Sequence, residues 1–206
     1  MNFEHIFDTS NSNRKLNEPR DKFLSRIFGI FNEEIVRIWC RSEISPFEDI
    51  GRPTIYELEK TGRGSTLDFT FHDKVTKKKY VAEMKCEIQF ENFKYLKLDS
   101  VDQLAHHTKT AFQRFIGIAN EPKKYLAKVQ GKEINVDGAI LVWGKTNPAS
   151  IMEICDSTNL TDILSIENII NDLIKIKDNN YLELLSQKQK WVNYLFNGLK
   201  TSANNG

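Results

Sequence analysis

Gly62-Arg63-Gly64-Ser65-Thr66-Leu67-Asp68-Phe69-Thr70-Phe71 and, further on, Tyr80-Val81-Ala82-Glu83-Met84-Lys85-Cys86-Glu87-Ile88 are the two most structured stretches of the chain. The glycines and Ser65 make a turn, and from Thr66 polar and apolar residues alternate as they do in a strand. The second stretch reads as another strand, and the charged connection from His72 to Lys79 predicts a hairpin with a loop longer than the tightest type. Side chains two apart in a strand share a face, so Glu83 and Lys85 project together while Met84 points the other way. A hairpin of this size brings Asp68 beside Glu83. Two carboxylates and an ammonium then meet at one end of a sheet.

Such a trio has a specific chemical use. Two carboxylates held close repel each other unless a cation lies between them, and hard oxygen ligands suit Mg²⁺. A metal there polarises a phosphodiester and acidifies a bound water, while a lysine orients that water or meets charge developing on phosphate oxygens. A bare Glu-x-Lys is common, and its ordinary meaning is an ion pair on a strand face. The joint context argues for more: Asp68 follows a glycine-rich turn, both acids lie in apolar strand patterns, and a basic stretch comes next.

Outward from this hairpin the pattern is mixed. Before it, Phe23, Ile27, Ile30, Phe31, Ile35 and Ile38 recur at helical spacing from about Asp21, after a polar arm over residues 1–20. Ser45-Pro46 and Gly51-Arg52-Pro53 break that helix, and Thr54 to Leu58 is compatible with strand or helix. After it, Ser100 to Ala119 predicts a helix with Ser100 as N-cap and Gln103 at the capping-box position. Ile134 to Trp143 reads as a buried central strand. Asn147-Pro148 opens a helical part over 147–206, with amphipathic pieces at Ile151–Ile154, Leu160–Ile176 and Tyr181–Leu199. No repeat or linker divides the chain, so residues 1–206 are expected to form one α/β domain, a mixed central sheet flanked by helices.

Composition narrows the class. The chain has 206 residues, 40% hydrophobic and 28% charged, with 10 Gly and 5 Pro, which excludes collagen-like, disordered and coiled-coil architectures. No apolar run reaches the ~18 residues needed to span a membrane. The N-terminus lacks the layout of a signal peptide, and Cys40, Cys86 and Cys155 show no disulfide or zinc spacing, so a cytoplasmic location is expected. The net charge of +1 hides an asymmetry: residues 74–132 hold 13 Lys/Arg against 6 Asp/Glu. Excess positive charge in the middle third is expected of a chain that meets a polyanion there, although on charge alone a solvated lysine-rich face is the more ordinary reading.

The run from Gly62 to Phe71 followed by Val81-Ala82-Glu83-Met84-Lys85 resembles the signature of the PD-(D/E)XK nuclease superfamily, which includes many restriction endonucleases, exonucleases and junction resolvases. Leu67 stands where the name-giving proline would be. The order helix, motif-bearing hairpin, helix, strand, helix is similar to that family's core over roughly Asp21 to Trp143. The resemblance implies a restriction-endonuclease-like core, with Asp68 and Glu83 as metal ligands, Lys85 as the catalytic lysine, and Mg²⁺ as cofactor with Mn²⁺ able to substitute. It also implies a first-helix glutamate at the metal. Glu34 lies on the apolar stripe of that helix and is the candidate, with a buried salt bridge as the alternative reading; Glu33 falls beside Arg37 on the outer face, and Glu57 is the fallback. A glutamine at the place of Gln103 touches the site in the exonuclease branch; a capping role is the alternative reading.

Lys77, Lys78, Lys79, Lys94, Lys97, His107, Lys109 and Arg114 are candidate DNA contacts, each able to neutralise a phosphate. Adjacent histidines on a helix face about 100° apart, so His106 and His107 are a poor zinc pair. Trp39, Trp143 and Trp191 sit in apolar patterns and read as core. The function expected is a Mg²⁺-dependent deoxyribonuclease, of restriction type, with DNA as partner, no membrane, and a two-fold homodimer if both strands are cut. The alternatives are an exonuclease or repair nuclease, or a catalytically inert DNA-binding module.

Overall fold

The computed structural model describes residues 19–85 and 96–203. Residues 1–18 of the predicted N-terminal arm, Cys86 and Lys94 lie outside the described residues, and the arm's last two residues, Pro19 and Arg20, belong to the first helix. The chain runs α1 (Pro19–Arg41), β1 (Phe47–Asp49), β2 (Pro53–Glu57), β3 (Ser65–Thr66), β4 (Phe69–Asp73), β5 (Lys79–Lys85) and β6 (Lys97–Leu98). A 3₁₀ turn (Val101–Leu104) and α2 (Thr110–Asn120) lead into β7 (Tyr125–Val129), β8 (Lys132–Ile134), β9 (Gly138–Trp143) and β10 (Lys145–Thr146). Then come α3 (Pro148–Thr158), β11 (Asp162–Ser165), α4 (Ile166–Lys175) and α5 (Asn179–Ala203). Among the described residues no helix is long and apolar enough to cross a membrane.

The expected α/β class holds. A mixed five-stranded sheet has the order β1-β4-β5-β9-β11; β4 is antiparallel to β1 and β5, whereas β9 is parallel to β5 and β11. All six residues of β9 are buried, as its unbroken apolar run requires of a strand covered on both faces. One face packs Phe69, Phe71, Tyr80, Ala82, Ile140 and Val142 against α1, α4 and the start of α5. The other packs Val81, Ala139, Leu141 and Trp143 against α2 and α3. A four-stranded sheet, β3-β2-β7-β8, flanks this second layer.

Several boundaries depart from the sequence expectation. The single strand expected from Thr66 to Phe71 is two strands in different sheets: β3 pairs with β2 and β4 with β1 and β5, so the chain changes sheet at Leu67-Asp68. The stretch left open from Thr54 resolves as strand as far as Glu57, with Leu58 in the following turn. The helix expected over Ser100–Ala119 is interrupted, because His107 leaves the helical path to bury its ring against Phe112 and Trp143, with centroids 4.7 and 5.9 Å away. Within the expected Leu160–Ile176 helix, Asp162–Ser165 is a strand parallel to β9, since Ile163 and Ser165 bury on one side of an extended chain. Trp191 is not core: it is 54% exposed on α5, with the Lys188 ammonium 4.8 Å from its ring.

Candidate active site

The hairpin places the trio. Its rungs pair Phe69 with Ala82 and Thr70 with Val81, so the next residues outward, Asp68 and Glu83, stand opposite each other where the β4–β5 ladder ends. Past that end Met84 N–H has no strand carbonyl on this side, and Asp68 Oδ2 accepts it instead at 2.9 Å. The carboxylate therefore continues the ladder by a side chain. At the far end of the hairpin Asp73 Oδ1 accepts from Val75 and Thr76 N–H, and Lys77 takes a left-handed φ of 62°, which closes the turn and fixes the register.

Period two does the rest. Met84 packs into the layer below with α1, while Glu83 and Lys85 rise on the opposite face, toward α2. Lys85 Nζ donates to Glu83 Oε1 at 2.5 Å and lies 5.7 Å from the Phe112 ring centre. Glu83 is 6% exposed and Asp68 is mostly covered. Burial raises the pKa of both carboxyls above their ordinary values; the Asp68 charge pushes Glu83 further up, while Lys85 pulls both back down. Two largely covered acids side by side are stabilised by positive charge, which Lys85 brings to Glu83 and Arg52 to Asp68.

A cavity of about 270 Å³ opens over Glu83 and Lys85, lined by His106, His107, Lys109 and Phe112 from the interrupted segment and the start of α2. His107 is neutral there: burial first, then the charge of neighbouring cations, brings its pKa down to about 4. Lys109 is the N-cap residue of α2, so its ammonium and the positive end of the helix lie at the cavity together. A separate cleft of about 420 Å³ between α1 and β1 contains Cys40, whose thiol burial pushes up to about 12, an inert sulfur at neutral pH.

The first-helix expectation needs correcting. Glu34 is turned away from the trio and accepts from Lys188 Nζ of α5 at 2.7 Å, because the face of α1 that carries it packs on that helix. Glu33 is the acid that faces the site: its charge reaches Asp68, and Arg37 and Arg52 lie 3.2 and 3.8 Å from its carboxylate. Glu57 is held by Lys60 at 2.8 Å. Gln103 takes the capping role, the alternative reading of the sequence. Its Oε1 accepts from Asp99 and Ser100 N–H and its Nε2 donates to Lys97 O, so the side chain fastens the 3₁₀ turn and is not among the residues lining the cavity.

Of the basic candidates, Lys109 and His107 reach the cavity. Lys77 and Lys78 occupy the hairpin turn and Lys79 begins β5, roughly 13 Å before Glu83 at about 3.3 Å per residue, at the other end of the strand. Lys97 pairs with Asp99 at 3.0 Å, and Arg114 Nη1 is taken up by Arg63 O and Ser65 Oγ, tying α2 to β3. The residue that sequence reasoning passed over is Arg52. It donates through Nη2 to Asp68 Oδ1 at 3.2 Å and through Nε to Leu67 O at 3.4 Å. Its only sequence signal is a place in the Gly51-Arg52-Pro53 turn, read as a helix breaker.

Among the described residues no group of three or more His, Cys, Asp or Glu side chains is gathered closely enough to hold a metal. Two carboxylates are nonetheless the ordinary protein share of a Mg²⁺ site, where water and substrate phosphate fill the other positions. The donor set of Asp68 and Glu83 fits that ion, and does not fit zinc. No family model matches the chain, and no curated protein or solved structure matches it.

Proposed function

We propose that the protein is a Mg²⁺-dependent deoxyribonuclease of restriction-endonuclease type, with Asp68 and Glu83 holding the ion and Lys85 acting on the reacting phosphate. The observation that carries this reading is the Asp68–Glu83 pairing at the end of the β4–β5 ladder, with Lys85 bonded to Glu83 over an open cavity. The element order supports the restriction-endonuclease-like core that the motif implies: α1, the β4–β5 hairpin bearing the acids, α2, then β9 parallel to β5.

Asp68 and Glu83 would hold Mg²⁺, which would supply Lewis acidity and an acidified water. The chain does the rest. Asp68 and Glu83 fix the ion's place, and the Met84 N–H holds the Asp68 carboxylate in orientation. Lys85, kept over the cavity by Glu83, would orient the attacking water or donate to a non-bridging oxygen, where negative charge grows as the water oxygen bonds to phosphorus and gives its proton to solvent, while the P–O bond to the leaving oxygen breaks and that oxygen takes a proton from solvent. Lys109 and the N-terminal end of α2 offer a positive edge for the neighbouring phosphate. Neutral His107 adds no competing positive charge beside Lys85.

Supercoiled plasmid incubated with Mg²⁺ should be nicked or linearised, with EDTA abolishing cleavage and Lys85→Ala lowering its rate by about 10² or more. Degradation that begins only at DNA ends would assign the same chemistry to an exonuclease. Equal rates with EDTA, or with Lys85→Ala, would reject the reading, and DNA binding without cleavage of any substrate would leave an inert binding module.

A further inference from the structure

The guanidinium of Arg52 stands at the acid pair in a way that the hydrolytic chemistry above does not use. Arg52 precedes β2, where Leu67 N–H donates to Pro53 O at 3.0 Å and holds the start of β2 against the sheet change. From there its side chain bonds Leu67 O and Asp68 Oδ1, with Glu33 at 3.8 Å on its other arm. Asp68 Oδ2 already accepts from Met84 N–H, so Oδ1 is the oxygen more open to a metal. Arg52 covers it.

The two ends of this contact differ in freedom. The Arg52 side chain is 49% exposed and that of Asp68 is 16% exposed, so the guanidinium can swing into water while the carboxylate stays. Glu33 does not depend on Arg52, because Arg37 pairs with it at 3.2 Å and is itself anchored on Asp49 at 3.3 Å and over the Phe69 ring. One cation of the cluster is thus fixed and the other is replaceable. A planar guanidinium is also suited to hold a phosphate once it is released.

We propose that Arg52 is a positioning residue that competes with the divalent ion for Asp68 Oδ1, neutralising the acids in the metal-free protein and giving up that oxygen when the ion binds. This rests on the metal-site reading above. An opposite charge beside a carboxylate changes its proton affinity by roughly ten- to a thousandfold, and a competing metal feels the same charge. Removing the guanidinium should therefore tighten metal binding, the reverse of what loss of a merely structural contact would do.

Free Mn²⁺ measured by electron paramagnetic resonance during titration of the full chain, without DNA, separates the cases. Arg52→Met should bind Mn²⁺ about tenfold tighter than the natural chain, Arg52→Lys should fall between the two, and Asp68→Asn should weaken binding with or without Arg52. Arg52→Gln replaces Arg52→Met if circular dichroism shows the latter unfolded. Unchanged or weaker Mn²⁺ binding after Arg52→Met, with binding still sensitive to Asp68→Asn, would overturn the competition and leave the metal site standing. Binding indifferent to Asp68→Asn in either background would remove the metal site itself, and the competition with it.

Discussion

Asp68 owes its place to the end of a ladder. Thr66 before it and Phe69 after it belong to different sheets, and its side chain replaces the strand carbonyl that Met84 would otherwise meet. Glu83 and Lys85 are legible in sequence because a strand's period of two leaves no choice of face. Glu33 and Glu34 are less so: a helix turns about 100° per residue, and α1 is covered both by the sheet and by α5, so an apolar stripe does not say which acid meets which partner. Arg52 is illegible for another reason, since its partner is 16 residues away and their meeting depends on β2 pairing with β3. His107 carries a prediction of its own. Its pKa falls to about 4 in the folded protein against 6.5 when unfolded, so its contribution is fully present above pH 6.5 and is lost as pH drops toward 4. Between pH 7 and 5 this linkage alone costs about 2 kcal/mol of stability. Urea titrations at the two pH values should show His107→Gln losing less stability than the natural chain over that interval; an equal loss in both would mean that His107 titrates normally.

At the scale of elements, the stretch from Ser100 to Asn120 shows what a periodic pattern omits. Its apolar spacing is helical, yet burial of His107 beside Phe112 and Trp143 draws the middle out of the helix, and the gap brings His107 and Lys109 to the cavity. Tertiary packing overrides local propensity here. The β7–β8 hairpin, by contrast, had a readable sign: Gln130-Gly131 is a two-residue turn with φ of 51° and 78°, a left-handed pair that glycine favours at its second position. The flanking Lys128, Lys132 and Glu133 hid it, because an outer sheet needs few apolar residues. Strand β11 escaped because four residues are too few to show a period against a helical background. Gln103 turns this into a test. Gln103→Ala removes the acceptor for Asp99 and Ser100 N–H and the donor to Lys97 O, and should cost roughly 1–3 kcal/mol in thermal or urea unfolding. Cleavage per folded molecule should stay within a few-fold. Cleavage lost at undiminished stability would assign Gln103 to the chemistry.

Across the whole molecule, the positive middle third divides into two parts that the one-dimensional charge count merges. Lys109 lies at the cavity, whereas Lys77, Lys78 and Lys79 gather at the opposite end of β5. A phosphate held at Glu83 and Lys85 is therefore near the first and remote from the second. Lys109→Ala should weaken binding of a short duplex several-fold and flatten its salt dependence, while alanines at Lys77, Lys78 and Lys79 together should change it less than twofold. Fluorescence anisotropy at two salt concentrations reads both, and the reverse ranking would place the DNA along the hairpin turn. The α/β class and the acidic hairpin followed from local pattern, because both depend on neighbours within one supersecondary unit. The second sheet and the arginine at the site did not, because they depend on which distant strands pair. One crystal soaked in Mn²⁺ and measured at the manganese edge tests the central claim most directly. The expected result is an anomalous peak within about 2.5 Å of oxygens of both Asp68 and Glu83. No peak there at saturating Mn²⁺, or a peak bound by neither acid, would contradict it.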